Sequence, residues 1–159
     1  MLSEKLHFVP VLNSANVSTG LDTDSINIST SAKSTWLFMF GAVTTDVTIT
    51  PTTGVTEGAK TTAIPCYSAI GGAIIGTAVA ASTASCDVLS AYTLNATAVA
   101  VTTATNKFVV VEVDHQAVAT AGHIWLTMTV AAGTSGICYC VVALSGTRFV
   151  ANRQGTVLK

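Results

Sequence analysis

Between Lys107 and Leu144 the chain writes out three strands in succession. Phe108-Val-Val-Val-Glu-Val113 is a run of residues branched at Cβ. Ile124, Leu126, Met128 and Val130 then alternate with Trp125, Thr127 and Thr129, and Ile137 to Leu144 is a third apolar run. A period of two places alternate side chains on opposite faces of a pleated strand. Branched side chains lose rotamer freedom against the preceding turn of a helix but fit that pleat. Half-buried strands of this kind need a second layer to cover their apolar face, and this constrains the chain to a packed β architecture.

The same vocabulary runs through the rest of the sequence. Hydrophobic residues make up 50% of the 159 positions, yet only 9% are charged, against about 25% in typical soluble proteins. Thr, Ser, Ala and Gly therefore have to cover the surface, a composition poor for helical bundles. At this length one domain can bury roughly 68–70% of its unfolded surface without covalent staples. A net charge of −1 repels neighbouring molecules weakly and favours association. Seven Lys and Arg with no basic block supply no electrostatic footprint for nucleic acid.

Read in order, Leu6 to Leu12 is an extended apolar arm containing Pro10, suited equally to a neighbouring subunit or to a sheet edge. Asn13 to Asp24 reads as a loop, Ser25 to Thr30 as a half-buried strand, and Ser34 to Phe40 as a strand covered on both faces. Asp46 to Thr50 alternates until Pro51 stops it. Ala63 to Ala81 is uncharged and holds the GxxxG pattern Gly72-Ala-Ile-Ile-Gly76, so a membrane helix has to be weighed. Pro65, the glycines and the lack of basic or aromatic flanks argue instead for a strand over Thr62 to Ile70 and a small-residue loop from Gly71 to Ser85. Cys86 to Tyr92, Ala96 to Thr102, Phe108 to Val113, His123 to Ala131 and Ile137 to Leu144 follow as strands. Asp114 caps a single helical turn, Gly133 to Gly136 is a hairpin turn, and Arg148 to Val150 is a last edge strand. The expected fold is all-β: a single domain over 1–159, a two-sheet antiparallel sandwich with jelly-roll connection preferred over an immunoglobulin-like one. Extended arms are expected at the N-terminus (1–12) and the C-terminus (151–159).

No motif for a reaction emerges, and no catalytic, cofactor-binding or metal-binding residue is assigned. Asp114, His115 and His123 sit at no recurrent ligand spacing and beside no activated nucleophile. Cys138 and Cys140 share one face of a strand, with Cα atoms about 6.5–7 Å apart, the limit for a disulfide. Buried free thiols fit Cys66, Cys86, Cys138 and Cys140 best, with a Cys66–Cys86 disulfide closing the small-residue loop as the alternative. Asp22 and Asp24 lack the further oxygens of a calcium loop. Glu112 faces solvent or pairs with Arg148 or Lys107. Trp36, Phe38, Phe40, Phe108, Trp125 and Tyr139 all lie in strands, as core or subunit-interface residues rather than a sugar-binding platform. Glu4 stands where a secretory signal needs positive charge, so Asn16-Val-Ser18, Asn27-Ile-Ser29 and Asn95-Ala-Thr97 read as chance glycosylation patterns.

Several pieces form a series: Leu6-His-Phe-Val-Pro-Val-Leu12; Trp36 to Phe40 running into Gly41-Ala-Val-Thr44; Phe108 to Asp114 with Gly122 and the Trp125 strand; and a last apolar strand before Arg148-Phe149 and a polar tail. This series resembles the jelly-roll head decoration, or cement, proteins of tailed bacteriophages. The resemblance implies a non-enzymatic virion structural protein made in the host cytoplasm. It would form a homotrimer and bind the major capsid protein on the capsid surface, stabilising the expanded shell. It further implies no cofactor, no small-molecule substrate, no direct nucleic-acid contact and no membrane. Leu2 to Leu12 and Phe149 to Lys159 are the segments expected to reach a neighbour or the shell. The four cysteines and the loop from Gly71 to Ser85 depart from that pattern. A tail- or fibre-associated component, or a β-sandwich module binding glycans or host surfaces, is the alternative.

Overall fold

In the computed structural model, residues 6–18, 20–73, 89–116, 122–132 and 136–147 are described. In chain order the strands are β1 (Leu6–Asn16), β2 (Leu21–Asp22), β3 (Ile26–Asn27), β4 (Ser31–Phe40), β5 (Val47–Gly54) and β6 (Thr62–Ala63). There follow β7 (Cys66–Ala73), β8 (Thr93–Asn95), β9 (Val99–Val101), β10 (Lys107–Asp114), β11 (Trp125–Ala132) and β12 (Ile137–Thr147). No helix occurs among the described residues. The fold is the expected all-β one: two antiparallel sheets packed face to face. One sheet has the order β1-β12-β4-β10-β7-β8; the other has β2-β11-β5-β6, with β3 also on β11 and β9 also on β5.

The pairing is nested. The first strand pairs with the last (β1 with β12), β2 and β3 with β11, β4 with β10, and β5 with β9. Between β5 and β9 the chain inserts β6, which stays on β5, and then β7 and β8, which extend the first sheet beyond β10. Pro65 lies between β6 in one sheet and β7 in the other, where the chain changes layer. The core is the alternate set from both sheets: Trp36, Phe38 and Phe40 of β4, Val109, Val111 and Val113 of β10, and Leu126, Met128 and Val130 of β11 are buried in one cluster. The three aromatic rings of β4 stack, with centroids 6.5 and 6.4 Å apart.

Several expectations are corrected. Of the two readings of Leu6 to Leu12, the sheet edge holds and the arm does not, because Val9 and Val11 enter the core and the backbone pairs with β12. That strand continues to Asn16, into the stretch expected as loop, with register shifts after Pro10 and Leu12. The expected strand over Ser25 to Thr30 reduces to Ile26–Asn27, and β4 begins at Ser31. Pro51 does not stop β5, which runs on to Gly54. A strand residue's N–H and C=O point to the same side. The Pro51 carbonyl accepts from Ile64 N–H at 3.0 Å on the side away from β11, so its missing donor faces that side too. There β9 pairs Val47 to Ile49 and β6 pairs Thr52 and Thr53, and Pro51 sits in the gap between them. The expected strand over Thr62 to Ile70 is broken at Ile64-Pro65, and β7 extends to Ala73. The strand expected over Ala96 to Thr102 is only Val99–Val101, preceded by the unexpected β8. Among the described residues no helix is long and apolar enough to cross a membrane. Residues 74–88, 117–121, 133–135 and 148–159 lie outside the description, and with them Cys86, Asp87, the edge strand expected at Arg148 to Val150 and the C-terminal arm.

Candidate functional site

Burial alternates along β4, β10 and β12, so the opposite face of the first sheet is defined residue by residue. Leu37 and Met39 of β4, Phe108, Val110 and Glu112 of β10, and Val141 and Ala143 of β12 are half-buried there. Register aligns them in rows across the sheet. Pro10, Val141, Leu37, Val110 and Ala69 form one; Phe8, Ala143, Thr35, Glu112, Tyr67 and Leu94 form another. Tyr139 and Phe108 flank Met39 in a third. At the periphery Phe8, Tyr139, Tyr67 and Leu94 are 51, 44, 49 and 60% exposed. The face is thus largely apolar, with the Lys33–Glu112 ion pair set into it. Glu112 was expected in solvent or with Arg148 or Lys107; its partner is Lys33 because β4 and β10 are sheet neighbours. The Lys107 ammonium instead donates to the Thr102 carbonyl at 2.7 Å.

The outer face of the second sheet is different. Thr48, Thr50 and Thr52 of β5 stand opposite Ala131, Thr129 and Thr127 of β11. Over its Thr52–Thr127 end, Ser25 Oγ is 2.7 Å from Thr127 Oγ1 and accepts from Gly58 N–H at 3.0 Å. A side chain at Gly54 would strike the backbone of Ala59. The turn over 55–60 therefore lies against this sheet. Lys60 ties it down by donating to Asp22 Oδ2 at 2.6 Å, while Thr129 donates to Asp22 Oδ1 at 2.7 Å. Burial pushes the Asp22 carboxyl up, but these hydrogen bonds and the Lys60 charge outweigh it and hold it below its ordinary value.

The residues weighed for chemistry are dispersed. His115 is fully buried; His123, 3.0 Å from Thr53 Oγ1, is half-buried elsewhere. Asp114 accepts from Gln116 N–H at 2.9 Å, the bond of a capping residue, and the helical turn expected after it runs into residues outside the description. His115 Nδ1 lies 3.0 Å from the Ser31 carbonyl, which can only accept. Ser31 Oγ also lies 2.9 Å from Nδ1, and Nε2 is hydrogen-bonded to Ser34 Oγ at 2.9 Å. Ser34 Oγ in turn accepts from Trp36 Nε1 at 2.9 Å. A hydroxyl hydrogen-bonded to an imidazole is the geometry of an activated nucleophile. Here Ser34 and His115 both have 0% exposure, so the pair ties β4 to the end of β10 and meets no substrate. Sequence reasoning missed it: Ser31 and Ser34 lie three positions apart in a strand, without a local signature.

Cys66, Cys138 and Cys140 are free and buried. Burial alone pushes the Cys66 thiol up to about 11 and the Cys138 thiol to about 12. Burial, then Cys138, pushes Cys140 well above its ordinary range. Among the described residues no group of three His, Cys, Asp or Glu could hold a metal. Asp24 lies apart from Asp22's pairing, its N–H donating to the Val11 carbonyl at 2.8 Å. Of the aromatics expected in the core or an interface, Trp36, Phe38, Phe40 and Trp125 are buried, Phe108 covers Gly71, and Tyr139 stands out on the exposed face. The exposed Tyr67 and Tyr92 were not anticipated.

Comparison with protein-family models, with curated proteins and with solved structures finds no match.

Proposed function

We propose that this protein is a non-enzymatic structural subunit that works by docking, and that its role is that of a phage capsid cement protein, trimeric and bound to the outside of the expanded shell through the major capsid protein. The observation that carries the docking reading is the outer face of the first sheet. Its rows are mainly apolar, interrupted by Thr35 and the Lys33–Glu112 pair, with exposed Phe8 and Tyr139 at one edge. Contiguous apolar faces of this kind mark association surfaces, and a chain with 9% charged residues opposes association weakly. The jelly-roll form is part of the proposal. What supports it is the nested pairing of first strand with last, inward to β5 with β9, the pattern of two interlocked Greek keys seen in viral capsid domains. On this reading β6 to β8 are an insertion in that frame.

The test is mass by light scattering, alone and after mixing with expanded empty capsids, followed by co-sedimentation. A trimer that co-sediments with capsids is expected. A monomer that stays in the supernatant would overturn the assignment.

A further inference from the structure

The eight-strand nested frame ends at β10 on the first sheet, and β7 and β8 are added beyond it. This added edge carries Tyr67, Tyr92 and Leu94, which are 49, 48 and 60% exposed. Nothing in the core needs them: Cys66 and Ser68 supply the inward side of β7. Tyr67 stands opposite Glu112 on one side and Leu94 on the other. Tyr92 immediately precedes β8, whose Thr93 stands opposite Ser68, and Ala69 of β7, next but one to Tyr67, is fully buried. Glu112 is paired with Lys33, and both remain partly open to solvent. Partial burial and the Glu112 charge push the Tyr92 phenol above its ordinary range, with Lys33 opposing; the second tyrosine is thus within electrostatic reach of the pair.

We infer that this edge is a binding site for neutral glycans, in which Tyr67 and Tyr92 stack on pyranose rings and the Lys33–Glu112 pair binds their hydroxyls. A pyranose presents C–H groups, weakly positive and apolar, on its faces, and an aromatic ring presents a negative π face to meet them. Its equatorial hydroxyls need a donor and an acceptor side by side, and an ammonium beside a carboxylate offers both as charge-assisted hydrogen bonds. Because the two charges cancel, the site favours an uncharged ligand over an anionic one. The phenol hydroxyls keep the rings wettable, so the platform can stand exposed in the free protein. This site lies on the same sheet face as the assembly reading, at the edge opposite Phe8 and Tyr139. Phe8 and Tyr139 lie on β1 and β12, whereas Tyr67 lies on β7, three strands from β12, or about 14–15 Å across the sheet.

The experiment is affinity electrophoresis of the full chain in gels containing galactomannan, xyloglucan or hydroxyethylcellulose. Retardation by at least one of these is expected. Tyr67→Ala and Tyr92→Ala should each weaken it at least about tenfold, the loss of a central aromatic anchor, and Glu112→Gln should weaken it too. Tyr139→Ala, an exposed tyrosine off the site, should migrate as the parent does. For the unaltered protein, amide NMR titration with the oligosaccharide of the retarding polymer should shift residues 67, 92–94 and 112. No retardation in any gel would overturn the proposal, as would retardation unchanged in the Tyr67 and Tyr92 variants or shifts elsewhere. A proline-rich peptide that moves the same amides where no saccharide does would reassign the platform to peptide. A change of oligomer mass in Tyr67→Ala would reassign it to a contact between copies.

Discussion

Ser34 shows how much one hydroxyl can hold. It accepts from Trp36 Nε1 and shares a hydrogen bond with His115 Nε2, all at 0% exposure. Ser34→Ala orphans the indole N–H in the core and removes one hydrogen bond from the imidazole, so a loss of roughly 1–3 kcal/mol is expected. Urea titration followed by tryptophan fluorescence reads it, and a loss of a few tenths would mean that the indole finds another acceptor. The cysteines carry the pH dependence at this scale. Their thiols are raised by folding, from an ordinary 9.0 to about 11 at Cys66 and about 12 at Cys138. A raised acid binds its proton more tightly in the folded state, so its contribution is complete below pH 9 and declines as the pH rises from there towards 12. Urea midpoints measured from pH 7 to 10.5 should fall above pH 9. The slope should flatten in a Cys66→Ala, Cys138→Ala, Cys140→Ala variant; an equal slope in both proteins would assign the decline to other groups. The sequence makes Cys138 and Cys140 legible as same-face residues, since their spacing of two is decisive in a strand. Ser34 and His115, 81 positions apart, are joined only by the pairing of β4 with β10.

At the scale of the element, β1 changes the experiment that the N-terminus invites. A free arm could be cut away without harm to the fold, but β1 is the edge strand on β12 and places Val9 and Val11 in the core. Removing residues 1–12 should therefore destabilise the whole domain, with roughly 1.5–3 kcal/mol lost for each buried valine. A thermal melt would show it; a melting temperature within a degree or two of the parent would mean that the first sheet closes without β1. Pro51 teaches the converse lesson. As a residue it reads as a strand terminator, yet a proline is tolerated where no partner requires its N–H. Which side of β5 is unpartnered follows from where β6 and β9 attach, and that is a property of the sheet.

For the whole molecule, the assembly reading and the topology meet on one surface. Phe8 and Tyr139 come from opposite halves of the chain and share one sheet edge only because the first strand pairs with the last. If this edge docks on neighbours, Phe8→Asp with Tyr139→Asp should leave the melting temperature close to that of the parent, because both side chains are about half exposed. It should abolish trimer formation or capsid co-sedimentation. Assembly unchanged in a folded double variant would move the docking surface elsewhere.

Read alone, the sequence determined the class of this fold and the content of its core. Alternation of period two, β-branched residues and scarce charge are local properties, and they dictate half-buried strands whose apolar sides must meet. Leu126, Met128 and Val130 were legible as one face from their own neighbours, whereas the unbroken apolar run Trp36 to Phe40 did not show which side turns inward. Strand partners were not, because backbone hydrogen bonding is the same for every residue and carries no address. Tertiary structure alone therefore decided that β1 is an edge rather than an arm, that Lys33 neutralises Glu112, and that Pro51 falls in a gap. It also decided that β7 and the approach to β8 carry Tyr67 and Tyr92 to the edge of the first sheet opposite β1.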